Sequence, residues 1–345
     1  MVKSKFLGKK ILALGAALSL CASVASAAGA MGTSVPYSMP APPPEWRDVN
    51  QGPFVNVVPR GGVIDKSQDK VLKQLIVTTK KEFKQYVYEE PQTAIKINYN
   101  LFLPADYKKG TAYPMVVFIA DASTVGDDVK APLTQGYGGL IWASAEEQAK
   151  HPCIVLVPTY KKVVIDDHTG FYVADQVETT KDLIEDVATR YGVDKNRIYG
   201  TGQSMGCMIT MYLAAKHPDL YAAELLVSGQ WDVRELAPLS TQKFFYVAAA
   251  GDPKASKGQI DLLPVLQKQG VQVSTAMWNA KDSAAELDAA ANKEIAQNHK
   301  INFATFTAGS VLPVKASKDA SEHMYSFDHV YTITALRDWL FNQHK

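Results

Sequence analysis

Gly200-Thr201-Gly202-Gln203-Ser204-Met205-Gly206 decides how the rest of the chain reads. A strand-like run, Asn196-Arg197-Ile198-Tyr199, enters it, and an apolar helical run over 207–216 leaves it. Strand, tight turn and helix around G-x-S-x-G are the setting of a nucleophile elbow. A serine on a regular strand or helix is poorly presented to a carbonyl. A sharp turn instead forces Ser204 into a strained backbone conformation and leaves its Oγ exposed at the carboxyl edge of a sheet. Gly202 and Gly206 flank it because side chains there would collide across the turn.

Outward from this unit, apolar periodicity predicts strands alternating with helices. Residues 75–79, 83–89 and 94–103 are strand-like, with Glu90-Pro91-Gln92 as a turn between the last two. Ile95, Ile97, Tyr99 and Leu101 fall on one face at period two. Continuous apolar runs at 115–119 and 153–157 are of the buried parallel type. Between them, 133–150 carries glycines and turns helical from about 141. Residues 175–191 form an amphipathic helix with Val177, Leu183, Ile184 and Val187 along one stripe, and Gly192 stops it. Beyond the elbow come strands at 222–227, 244–249, 271–277 and 301–306, and helices at 260–268, 284–297 and 331–342. The alternation implies right-handed crossovers and an α/β class with a mostly parallel central sheet and helices on both faces. There is no internal repeat.

With 345 residues, 47% of them apolar, the chain can bury a large core. Lys3, Lys5, Lys9 and Lys10 precede an apolar run over 11–20, and Ala25-Ser26-Ala27 offers small residues for cleavage. That pattern predicts a secretory signal peptide over 1–27 and a secreted or periplasmic destination. The run is short for a bilayer span and no second one follows, so no stable membrane insertion is expected after cleavage. Residues 28–69, with Pro36, Pro40 and Pro42-Pro43-Pro44, read as an irregular strap without chemistry, pinned by Trp46 and Phe54. Residues 70–345 are the expected catalytic domain. Cleavage removes four of 36 basic residues and leaves 32 against 35 acidic ones, a net charge near −3. No clustered basic face speaks for a nucleic-acid partner. Cys153 and Cys207 fall at opposite edges of the expected sheet, so free buried thiols are expected rather than a disulfide.

A serine hydroxyl is a weak nucleophile until a base takes its proton, and that base needs an orienting group. Both must sit in loops at the carboxyl ends of later strands. Asp252 meets this requirement, directly after Ala248-Ala249-Ala250-Gly251; Asp232, after the preceding strand, is the alternative acid. Of the histidines beyond Asp252, His299 precedes a strand and His344 lies in the terminus. His323, in the loop after the last strand, is the expected base, and His329 is the alternative. The developing oxyanion needs backbone donors. The Met205 N–H is one; the loop Ala120-Asp121-Ala122-Ser123-Thr124 offers the Ala122 N–H, or alternatively the Asp121 N–H. Gln135-Gly136-Tyr137-Gly138-Gly139 lacks the Lys-Ser/Thr of a phosphate loop and reads as a mobile rim. His151 and His168 have no partners at metal spacing, so no metal site is expected. Trp142 and Trp231 serve either the core or an acyl pocket. Specificity is expected from 133–142 and 284–297.

The order Ser204, Asp252, His323 around the elbow resembles the α/β-hydrolase family, in particular secreted esterases related to polyhydroxybutyrate depolymerases and feruloyl esterases. These shade into prolyl-oligopeptidase-like hydrolases. The resemblance covers about 99–343. Besides the elbow, it is carried by Leu101-Phe102-Leu103-Pro104-Ala105-Asp106-Tyr107, Ser228-Gly229-Gln230-Trp231-Asp232, Gly251-Asp252-Pro253 and Glu322-His323-Met324-Tyr325-Ser326-Phe327. Arg337-Asp338-Trp339-Leu340-Phe341 completes it. It implies hydrolysis of a small-molecule or polymeric ester through an acyl-serine, with no metal and no organic cofactor. Relatives place His-Gly or His-Asp after the third strand, where this chain has Ala120-Asp121. A peptidase with the same three residues is the second reading, weakened because the region before Leu75 is short for the propeller domain such enzymes carry. A non-catalytic binding protein that retains the fold is the third.

Overall fold

Asp69 opens the first regular element. Its carboxylate accepts the Leu72 N–H at 2.8 Å and caps helix α1, Lys70–Thr79. The computed structural model describes residues 64, 66–168, 170–317 and 320–345. The expected signal peptide and most of the proline-rich segment, with Trp46 and Phe54, lie outside the described residues. The β-branched run Ile76-Val77-Thr78-Thr79 reads as a strand from propensity, yet it is helical. Leu72, Ile76 and Thr79 are the buried positions, the spacing of one helix face, and packing of that stripe overrides local preference.

Strands β1 (Lys84–Glu89) and β2 (Lys96–Phe102) follow as an antiparallel hairpin, then β3 (Tyr113–Ile119), the short helix α2 (Ala145–Lys150) and β4 (Ile154–Thr159). A two-residue ribbon, β5 (Ile165–Asp166) with β6 (Tyr172–Val173), precedes helix α3, Asp175–Tyr191. Gly192 ends α3 with φ of 65°, the left-handed cap that glycine adopts without strain. Next come β7 (Val193–Gln203), α4 (Met205–Lys216), β8 (Ala223–Val227), β9 (Phe244–Ala249) and α5 (Pro253–Lys268). The chain closes with β10 (Val273–Trp278), α6 (Ala284–Ile295), β11 (Ile301–Phe306), α7 (Glu322–Thr332) and α8 (Thr334–Phe341). The last two helices correct the sequence reading, which made 331–342 one helix and left His323 in a loop. His323 is the second residue of α7, and the chain breaks helix at Ile333, where ψ is 108°.

Among the described residues, nine strands form one sheet in the order β1-β2-β4-β3-β7-β8-β9-β11-β10. The β1–β2 and β2–β4 pairs are antiparallel and all others are parallel. Successive side chains of β3 enter opposite layers, as the pleat requires. Val116 and Phe118 join a core with Leu72 of α1, Leu287 of α6, Phe327 of α7 and Leu340 of α8. Met115, Val117 and Ile119 join the other, with Leu183 of α3, Ile209 of α4 and Leu262 of α5. The sheet is thus covered on both faces, and its inner strands β4, β8 and β9 are buried along their whole length. Strand order reverses at β3, which has β4 on one side and β7 on the other. Crevices at the carboxyl ends of strands open at such a switch point. Cys153 and Cys207 are buried free thiols.

Candidate active site

β7 delivers Ser204 to the carboxyl edge beside β3. Ser204 adopts φ 51° and ψ −116°, a region that costs a non-glycine residue strain, and the surrounding backbone holds it there. Its N–H donates to the Val227 carbonyl at 3.0 Å. The flanking glycines are dictated by close approach. A Cβ on Gly202 would lie 2.4 Å from the Gly206 carbonyl, and one on Gly206 would lie 1.8 Å from the Ile119 oxygen. Helix α4 begins at Met205, so the Met205 N–H is among those the helix itself leaves unpaired.

Three elements far apart in the chain converge on this turn. His323 Nε2 is 2.8 Å from Ser204 Oγ, and His323 Nδ1 is 2.6 Å from Asp252 Oδ2. A neutral imidazole with its proton on Nδ1 satisfies both contacts and leaves Nε2 free to accept from the hydroxyl. Asp252, 2% exposed, also caps α5: its Oδ1 accepts the Lys254 and Ala255 N–H groups, each at 3.2 Å. Pro253 follows at the first helical position, where a missing N–H costs nothing. The His323 ring stands edge-on to Phe327, with centroids 5.1 Å apart. The His323 carbonyl accepts from Ser326 Oγ, which in turn contacts Ser228 Oγ. Glu322 fastens the loops on either side: its carboxylate accepts the Gly251 N–H at 3.2 Å and the Gly309 N–H at 2.8 Å.

The alternative residues are engaged elsewhere. Asp232 is held by the Arg234 guanidinium, Nε to Oδ1 at 2.8 Å, and those hydrogen bonds keep its carboxyl below the usual carboxylate range. His329 donates to the Val311 carbonyl at 3.2 Å and packs on Phe306, and burial pushes its pKa down. Burial pushes the Cys207 thiol up, so it is a poor nucleophile despite its place in α4.

Ser204 and His323 open on a cavity of about 450 Å³ that Asp121, Ala122 and Met205 also line. One part of its wall corrects the sequence reading. Val163, Ile165 and Asp166-Asp167-His168, from the segment around β5, form that part, whereas 133–142 and 284–297 contribute no lining residue. Trp142 belongs to the core with Tyr331 and Phe341. Trp231 packs between Phe171 and Tyr212. Two-residue strands carry no readable periodicity, so nothing in the sequence marked this wall.

Two histidines also gain neighbours that spacing did not disclose. His151 comes together with Glu147 and Asp338, and His168 with Asp166 and Asp167. Lysine and arginine side chains already pair with three of these four carboxylates: Arg337 meets Glu147, Lys150 meets Asp338 and Lys254 meets Asp167.

The Esterase family model matches residues 91–307, well over half of the chain. The chain belongs to the Esterase family. Among solved structures it is similar to a thermostable esterase, with 23% identity and a TM-score of 0.61 over 77% of this chain and 64% of that one. The chain therefore spans just under two thirds of that relative. A ferulic acid esterase is 12% identical over 75% of this chain and 97% of its own, with a TM-score of 0.48. A feruloyl esterase module from Clostridium thermocellum is 12% identical over 74% and 89%, with a TM-score of 0.47. No curated protein sequence matches. The sheet order, the helices on both faces and the thermostable-esterase likeness together give the α/β-hydrolase fold.

Proposed function

We propose that the protein is a secreted serine hydrolase that cleaves carboxylic esters through an acyl-serine intermediate. The observation that carries this reading is the continuous relay Ser204 Oγ, His323 Nε2, His323 Nδ1, Asp252 Oδ2, with links of 2.8 and 2.6 Å. His323 takes the Ser204 proton as Oγ attacks the ester carbonyl, then gives it to the departing alcohol. Asp252 holds the imidazole tautomer and offsets the charge that forms on it. The Met205 and Ala122 N–H groups stabilise the oxyanion, their residues flanking the same cavity. Water activated by His323 then releases the acid. The substrate is a small-molecule or polymeric ester, and export rests on the sequence pattern of 1–27.

The test is hydrolysis of p-nitrophenyl acetate by the mature protein and its Ser204→Ala variant. Turnover should fall by about 10⁶-fold. Activity that survives the substitution would remove Ser204 from the mechanism.

A further inference from the structure

The chain has no His-Gly or His-Asp after β3, yet the loop there is tied down. Asp121 sits at its root, 2% exposed, and caps the short turn Ala122–Thr124. Asp121 Oδ2 accepts the Ser123 N–H at 3.0 Å, and the Thr124 hydroxyl donates to the Asp121 carbonyl at 2.9 Å. The other carboxylate oxygen, Oδ1, accepts from Gln203 Nε2 at 2.8 Å, across 82 residues of chain. Gln203 is fully buried and immediately precedes Ser204. Its second amide proton goes to Gln135 Oε1 at 2.7 Å, and Lys66 Nζ holds the Gln135 carbonyl at 2.7 Å. The two donors of the oxyanion site, at Met205 and Ala122, therefore belong to segments that one buried amide–carboxylate contact joins.

We propose that Gln203 and Asp121 are positioning residues of the esterase site, setting the spacing between the Met205 and Ala122 N–H groups. The inference rests on the functional reading above. A backbone donor stabilises an oxyanion only when it stands about 2.7–3.1 Å from the oxygen's position in the transition state. A loop root free to swing by a fraction of an ångström loses that geometry while the substrate still binds. Asp121 itself does not stabilise the developing charge, because a carboxylate beside it opposes it. Its contribution is geometric, made through the Ser123 and Gln203 hydrogen bonds. Gln203 supplies a charge-assisted donor that keeps this carboxylate paired inside the protein.

The test compares wild type with Gln203→Leu, Asp121→Ala and the double variant. kcat and KM for p-nitrophenyl acetate are normalised to sites titrated with a fluorophosphonate. The expected result is a loss of about 10–100-fold in kcat with KM within about twofold. Affinity for a trifluoromethyl ketone, whose adduct carries the oxyanion, should fall in step with kcat/KM. The double variant should lose less than the product of the two single losses, since both single variants break the shared Gln203–Asp121 contact. If Gln203→Leu does not fold, Asp121→Asn, which keeps one acceptor, and Gln135→Leu, which breaks only the outer contact, should show smaller losses of the same kind. Variants with wild-type turnover per titrated site, or with a loss confined to KM, would overturn the inference. A wild type inert toward the ester would instead overturn the functional reading.

Discussion

Glu224 lies within β8, fully buried, and neither carboxylate oxygen has a hydrogen-bond partner. Burial pushes its pKa up to about 8, with Lys243 pulling weakly the other way, so it is neutral in the folded protein at neutral pH. The consequence for stability has a definite sign. Below about pH 4.5 the carboxyl is protonated whether folded or unfolded and has no effect. Between there and about pH 8 the unfolded chain releases the proton that the folded one keeps, so stability falls as pH rises; above about pH 8 the slope ends. The loss is on the order of a few kcal/mol. Urea unfolding at several pH values should show Glu224→Gln gaining on the wild type across this window. A difference independent of pH would mean that Glu224 ionises normally in the fold. Glu224 pairs with Gly200 of the elbow strand, so alkaline conditions load charge into the layer that supports Ser204.

Two helix caps differ in what they hold. Asp252 has two contacts, as N-cap of α5 and as the carboxylate on His323. Ser283 is a cap alone. It forms a capping box with Glu286 at the start of α6, which packs against β10 and α8 and lends the cavity no residue. Ser283→Ala should cost about 1 kcal/mol in chemical denaturation while ester turnover at 25 °C stays unchanged. Lost turnover in the folded variant would place α6 in the working site after all. Helices also mark where the sequence was hard to read. The β-branched end of α1 imitates a strand. The first turn of α7, Glu322-His323-Met324, carries two polar residues because Glu322 and His323 bond to the loops and to Ser204 at the sheet edge, while Met324 enters the core.

A buried ion pair ties the closing helix to α2, the short helix that leads into β4. Arg337 of α8 donates from Nε to Glu147 of α2 at 2.7 Å and from a terminal nitrogen to the Tyr331 carbonyl at 2.6 Å. Both side chains are nearly solvent-free, so removing one leaves the other charged and unpaired in a medium that solvates it poorly. Arg337→Leu should cost about 3–5 kcal/mol in denaturant unfolding, and adding Glu147→Leu should recover part of that loss. If the double replacement is as damaged as the single one, the packing of the Arg337 stem, not its charge, holds α8 in place.

The sequence determined the periodicities and the turn. Apolar runs at period two and stripes at helical spacing follow from which side chains neighbour one another along a few residues of backbone. The elbow is legible for the same reason, because its glycines answer to steric contacts within and beside one turn. The order of Ser204, Asp252 and His323 could be read too, since each must follow a strand. Tertiary structure alone decided the rest. That part of the cavity wall comes from the segment around β5, that Gln203 reaches Asp121, and that Glu322 fastens two loops beside His323 all depend on which strands become neighbours. Those contacts join residues tens to hundreds of positions apart, and local pattern carries no record of the strand order and crossovers that bring them within hydrogen-bond reach.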